Sequence, residues 1–204
     1  IVKARLYCEA KGSLPRLSAQ SAIWYILDAM VRLLAPILAF TSNEIWQSMP
    51  HMEGQDARHV MLNDMPAVIE AWRLSADDEQ FWADSLHLRN DVNKALELAR
   101  ADKVIGKPLD AKVTIHVGDA AKPAMERVKK QHFEALFIVS EAELADGDGE
   151  GWEGVEFPGV HIEVQASTAP KCPRCWTHSA DIGQDSDYPE LCGRCARALK
   201  YKAE

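Results

Sequence analysis

CPRCWTHSADIGQDSDYPELCGRC, residues 172–195, contains two Cys-x-x-Cys pairs, Cys172 with Cys175 and Cys192 with Cys195, with sixteen residues between them. Two residues between cysteines make a tight knuckle that aims both sulfurs at one point, and Gly193 lends backbone freedom to the second turn. Two such pairs separated by about 15 to 20 residues form the spacing class of a four-thiolate zinc site. Four protein thiolates close the coordination sphere and leave no position for water, so the expected ion is one structural Zn2+. Its work is folding: few large apolar side chains lie between Lys171 and Glu204, whereas structural zinc supplies on the order of 10 kcal/mol to small peptides. Two redox dithiols would need a thioredoxin-like strand and helix around one motif, which neither flank offers. His178 reads as a solvated loop histidine and not as a ligand.

Around the cysteines stand Lys171, Arg174, Arg194, Arg197, Lys200 and Lys202, with Trp176 directly after the first knuckle. Cations beside an aromatic ring can clamp phosphates while the ring stacks on an unpaired base. Trp176 can equally serve to cover the knuckle.

Upstream, Ala166-Ser167-Thr168-Ala169-Pro170 reads as a linker, and before it the chain has period two. Ala111, Val113, Ile115 and Val117 alternate with Lys112, Thr114 and His116, as in a strand with one buried face. A short helix from about 120 to 133, a strand at Leu136-Phe137-Ile138-Val139 and a third at Val160–Val164 complete a small α/β module. The acidic glycine-rich run 145–151 lacks EF-hand spacing and reads as a mobile turn.

Residues 1–105 read as helical. Ile23, Ile26, Leu27, Met30, Leu34, Ile37 and Leu38 recur at three- and four-residue steps, predicting a long helix from Ser18 to about Phe40 with that face buried. Pro36 should kink or break it. Thr41-Ser42-Asn43-Glu44 is a capping box that should open the next helix. Residues 50–74 read as a long connection. Ser75-Ala76-Asp77-Asp78 caps a further helix whose face is Phe81, Ser85, Leu88, Val92, Leu96 and Ala99. Tyr7, Trp24, Trp46, Trp72 and Trp82 are expected to fill the core, because helical spacing buries aromatics more often than it displays them.

The whole chain of 204 residues holds 23 basic and 31 acidic residues, a net charge of −8. That balance argues against non-specific binding of a phosphate backbone, so any nucleic-acid contact must be local. No apolar run approaches the roughly 20 residues of a membrane span, since Asp28, Arg32 and Pro36 interrupt the most apolar stretch. Paired cysteines with Cys8 alone suit a reducing compartment, here the cytoplasm. Ile1–Tyr7 reads as the middle of an amphipathic segment, which suggests a piece of a longer chain.

Nearly the full length resembles the carboxy-terminal part of bacterial isoleucyl-tRNA synthetases. The resemblance rests on Arg5-Leu6-Tyr7, Ala19-Gln20, the run Leu33–Thr41 and Glu44-Ile45-Trp46; on Leu88–Glu97 and Lys103–Ala111; and on Cys172–Trp176 with Pro189–Cys195. It implies a multidomain, mainly α protein: a helical bundle of the class I synthetase anticodon-binding type over 1–105, N-terminally truncated, a small α/β junction module over 106–166, and a zinc ribbon over 167–204. It also implies a parent enzyme that activates isoleucine with ATP and charges its tRNA through a catalytic domain upstream of Ile1. The fragment alone is expected to be inactive, having neither nucleotide motif nor editing pocket, and to bind the anticodon stem-loop. Arg174, Trp176, Arg194 and Arg197 are the expected tRNA contacts. Expected partners are the isoleucine tRNA and the remainder of the synthetase chain, with no membrane, in a monomer. A free-standing zinc-ribbon nucleic-acid-binding protein is the competing reading. A zinc-containing DNA glycosylase would want an amino-terminal Pro where this chain has Ile1.

Overall fold

The computed structural model describes residues 2–129 and 132–201. Lys202, placed above among the cations of the tail, lies outside them, as do residues 130 and 131 of the expected 120–133 helix. Two compact units form, Lys11–Arg73 and the combination of Ile1–Ala10 with Leu74–Glu204.

In the unit Lys11–Arg73, helix α2 spans Leu14–Leu34, following the short α1 at Lys3–Tyr7, and α3 spans Ala39–Ser48. The break falls where Pro36 withdraws a backbone donor. The capping box does not form. Leu38 is the N-cap and Ser42 N donates to Leu38 O at 2.9 Å, so Thr41 already lies inside the first turn. The core consists of Val31, Ala35, Trp46, Met49 and Val60, with Trp24, Leu27 and Ile45 against it. Of the face predicted to be buried only Leu27 turns inward; Ile23, Ile26, Met30, Leu34, Ile37 and Leu38 are exposed. The helix is apolar around most of its circumference, and α3 selects the stripe Trp24, Leu27, Val31 and Ala35, a choice that periodicity alone cannot make.

Side-chain bonds lay the connection 50–74 over these helices. Trp46 Nε1 donates to Asp56 O at 3.1 Å, Trp24 Nε1 to Pro50 O at 2.8 Å, and Asn63 Nδ2 to Asp56 O at 2.9 Å. Buried Asp28 pairs with Arg32 and accepts from Gln55 Nε2 at 2.8 Å. Among the five aromatics assigned to the core, Trp46 is fully buried, but Tyr7, Trp72 and Trp82 stand 75%, 56% and 43% exposed. Trp72 instead makes an edge contact with Tyr25.

In the other unit, Ser75 Oγ accepts from Asp78 N at 3.1 Å and opens α4, Ala76–Ala101, as its sequence signature requires. Ser85, Leu88, Val92, Leu96 and Ala99 form its buried face, as expected, joined by Asp84, Asp91 and Ala95, whereas Phe81 at its start is only half-buried. That face covers a four-stranded sheet of order β2-β1-β4-β3, in which β1 is Ala111–Val117, β2 Glu141–Asp146, β3 Trp152–Glu153 and β4 Val160–Ala166. β1 runs parallel to β2 and antiparallel to β4, with Ile115 opposite Ile162. Thus α4, read from sequence as part of a helical first half, shares its core with the sheet.

Two short helices, α5 at Lys122–Val128 and α6 at Phe133–Phe137, bridge β1 to β2. The strand expected at 136–139 is therefore not formed. Leu136 and Phe137 enter the core from a helical turn, Phe137 stacks on Phe133 at 5.5 Å, and Ile138 reverses the chain at φ 62°. A short apolar run fits either element, and here the four-residue spacing of the two rings prevails.

Asp91 ties α4 to the turn before β4. Its buried carboxylate accepts from Val155 N at 3.0 Å, Glu156 N at 3.0 Å and Phe157 N at 2.7 Å. Asp91→Ala would orphan three backbone donors, at least one of them buried, and should destabilise this unit by about 3 kcal/mol or more. Urea unfolding measures it; a loss below about 1 kcal/mol would show that the three bonds contribute little.

Candidate metal centre

The first knuckle closes through backbone bonds, Trp176 N to Cys172 O at 2.9 Å and Cys172 N to Thr177 O at 3.0 Å. The second is the start of helix α7, Gly193–Lys200, with Cys192 as its N-cap and Cys195 in its first turn. Gly193 N donates to Asp181 Oδ2 at 3.0 Å, and a Cβ there would stand 2.6 Å from that oxygen, so a larger residue would have to displace the Asp181 carboxylate.

All four sulfurs lie within 4.8 Å of one another, and Cys175 Sγ is 3.6 Å from Cys192 Sγ. A disulfide would need about 2.05 Å, whereas a tetrahedron with bonds of about 2.3 Å separates sulfurs by about 3.8 Å. The donor set thus fits a soft tetrahedral cation and leaves no place for a water ligand. Cys172, Cys192 and Cys195 are buried, and Leu191, Ile182 and Tyr188 complete a small core around them.

Packed together, the thiols titrate apart. Burial pushes Cys192 up to about 11 and drives Cys195 further up, both reinforced by the neighbouring Cys175. Burial also works against ionisation of Cys175, but donation from Thr177 and Arg194 overcomes it and holds that thiol near 6. Cys8 is raised by its burial.

A polar chain fastens this module to the sheet. Asp110, at the end of a 3-10 turn spanning Pro108–Asp110, accepts from Lys171 Nζ at 3.0 Å and Lys107 N at 3.0 Å, and faces His178 Nε2 at 3.5 Å. The bond from Lys171 holds its carboxyl below the usual range. Ser140 Oγ donates to Leu109 O at 2.5 Å and accepts from His178 N at 2.7 Å. His178 is therefore no solvated loop residue: it is half-buried, and its Nδ1 lies 2.7 Å from Ala169 O.

The four residues expected to touch RNA do not share one environment. Trp176 is 62% exposed, in a left-handed conformation at φ 65° that a bulky side chain rarely adopts. Arg197 is exposed on α7. Arg174 is turned inward, with Nη1 donating to Cys8 O at 2.7 Å and to Cys195 Sγ at 3.3 Å. Arg194 is half-buried and donates to Cys175. Lys200 is paired with Asp185 and Asp187, each at 2.7 Å. A cavity of 280 Å³ lies between Lys107, Leu109, Lys171 and Trp176. Lys107 and Leu109 carry no sequence signal for it, because only the docking of the knuckle on the 3-10 turn brings them there.

Residues 1–115 match the family model described as the anticodon-binding domain of tRNA ligase, and residues 170–198 match the zinc finger found in FPG and IleRS. The chain is similar to the isoleucine–tRNA ligase of Syntrophotalea carbinolica, with 38% identity over 98% of the chain and 21% of the relative. It is also similar to that of Glaesserella parasuis, with 38% identity over 100% and 22%, and to that of Photobacterium profundum, with 35% identity over 100% and 22%. The chain spans about a fifth of the length of these relatives.

Because each ligand must be a thiolate, metal affinity falls as pH falls. Zinc release followed with a chromogenic chelator should show about one ion per chain at neutral pH and progressive loss on acidification; retention through strong acid would contradict thiolate ligation. The depressed carboxyl of Asp110 contributes stability above its ordinary value near 3.9, and that contribution is lost as acid protonates the folded group. Asp110→Asn should accordingly weaken the docking at neutral pH and flatten the acid limb of a pH–stability curve. A curve superposable on that of the unaltered chain would rule the clamp out.

Proposed function

We propose that this chain, which belongs to the family of anticodon-binding domains of tRNA ligases, is the carboxy-terminal, tRNA-recognising part of an isoleucine–tRNA ligase. The observation that carries the reading is the joint presence, in one chain, of the anticodon-binding match over residues 1–115 and the zinc-finger match over 170–198. Similarity to isoleucine–tRNA ligases along essentially the whole chain disfavours a free-standing zinc-ribbon protein. On this reading ATP-dependent activation of isoleucine, transfer to tRNA and editing belong to the rest of a longer polypeptide. The piece alone is inactive, and it works in the cytoplasm as part of a monomer.

Functionally the chain divides into a helical anticodon-binding part over 1–105, a junction over 106–166 and a metal module over 167–204. α4 belongs by sequence to the first and by its core to the second. Cys172, Cys175, Cys192 and Cys195 hold one structural zinc ion, which when bound supplies a rigid tetrahedral node and no redox or Lewis-acid step.

The chain's own residues then do the recognising. Anticodon loops present unstacked bases, which proteins read by stacking and by bonds to base edges. Trp176, exposed beside Lys107 and Lys171, offers an aromatic face with cations at its rim. Arg197 presents its charge from α7. Arg174 and Arg194 keep guanidinium donors beyond those given to the cysteines and, for Arg174, to the Cys8 carbonyl. A net charge of −8 is compatible with this, because only the contacting face must be cationic.

In the full-length ligase, binding of the isoleucine tRNA transcript should weaken on Trp176→Ala by the about 1–3 kcal/mol of one stacked base, roughly fivefold to more than a hundredfold. Arg197→Ala should reduce the salt dependence of binding. Unchanged affinity and charging after replacing Arg174, Trp176, Arg194 and Arg197 by Ala would remove these residues from the interface.

A further inference from the structure

Arg174 links three parts of the chain that are far apart in sequence. It belongs to the turn between Cys172 and Cys175; its Nη1 donates to Cys195 Sγ on the second knuckle at 3.3 Å and to the Cys8 carbonyl, 166 residues away, at 2.7 Å. Cys8 closes α1, whose last turn is completed by Cys8 N donating to Ala4 O. The Cys8 thiol is half-buried and lies within electrostatic reach of Arg194, Arg174 and Cys175, so the N-terminal segment sits against the metal knuckle itself. α1 has five residues and buries none of them. A helix so short has no stability of its own in water, and its position must come from what it touches.

We propose that Arg174 is a positioning residue that locks the segment Val2–Ala10 onto the cysteine cluster, so that loading of the cluster with metal sets where this segment sits. A cation held by both knuckles fixes Cys172–Cys175 against Cys192–Cys195. Arg174 spans from the first knuckle to a sulfur of the second, and that bond aims its guanidinium at the Cys8 carbonyl. A hydrogen bond from a guanidinium to a thiolate is charge-assisted and stronger than one between neutral partners. Separating the knuckles removes one of the two anchors that orient Arg174, and with it the tie to Cys8. The ion thereby does more than fold its own short ribbon: it also holds an element from the opposite end of the chain. The inference rests on the metal reading given above, extended from the four ligands to a residue that binds no metal.

The test is amide exchange of Val2–Ala10 together with the rate of tryptic cleavage after Lys3 and Arg5. Both are measured on the 204-residue chain, zinc-loaded or treated with a chelator, alongside measured zinc content. The unaltered zinc-loaded chain should protect the segment, and chelation should accelerate exchange and cleavage about tenfold or more. Arg174→Ala should keep its zinc, keep protection in Gly193–Lys200, and still show the accelerated segment. Arg174→Gln, retaining a shorter donor, should fall between. A zinc-loaded Arg174→Ala chain with an undisturbed segment overturns the proposal, as does a segment indifferent to chelation. Loss of zinc in both variants would place Arg174 within metal binding itself and equally overturn a separate positioning role. A chain that takes up no zinc at all would instead refute the metal reading on which this one stands.

Discussion

Four sulfurs within 4.8 Å of one another impose the constraint on which the rest of this unit depends. Four negative charges cannot share so small a volume without a cation among them, and burial makes each charge harder to form. The contrast between Cys175, held near 6, and Cys192, pushed to about 11, expresses that conflict in a single cluster. A soft divalent ion held by the four sulfurs would resolve it by sharing the charge, and the same bonds would convert two separate turns into one rigid surface. Arg174 and Arg194 lie beside this charge and donate to the sulfurs.

From the cluster, order spreads along polar bonds. Lys171 and His178 engage Asp110, and Ser140 joins the loop after α6 to the same turn. Through Asp110 the module meets β1, whose apolar face lies under α4, and Asp91 returns α4 to the turn before β4. A position on the exposed side of the knuckle, such as the indole of Trp176, is thus referred back to a buried core through a few identifiable bonds. Under the proposed function, that rigidity is what recognition of an unstacked base requires.

How much of this was legible depended on the range of the interaction involved. The cysteine site was readable because its ligands come as two local knuckles at a known spacing, and α4 because Ser75 and a single apolar stripe specify it. β1 and β4 announced themselves by alternation. By contrast, α2 is apolar on several sides, so its buried stripe was decided by α3, an element that period analysis cannot see. Leu136 and Phe137 read as a strand in sequence because a run of four apolar residues has no period of its own. The inward turn of Arg174 and the role of Asp110 were illegible for the same reason: their partners, Cys8 and Cys195 for one, Lys171 and His178 for the other, lie 21 to 166 residues away. Sequence spacing carries the chemistry of a site when the ligands are local and loses it when the support is distant.

Loading the chain with cobalt(II) examines the coordination of those four sulfurs directly. A tetrahedral tetrathiolate site predicts one cobalt per chain, with intense visible bands and sulfur-to-metal charge transfer that disappear when a ligand such as Cys192 is replaced by Ser. A weak spectrum of octahedral type, or uptake unaffected by removal of a cysteine, would contradict it.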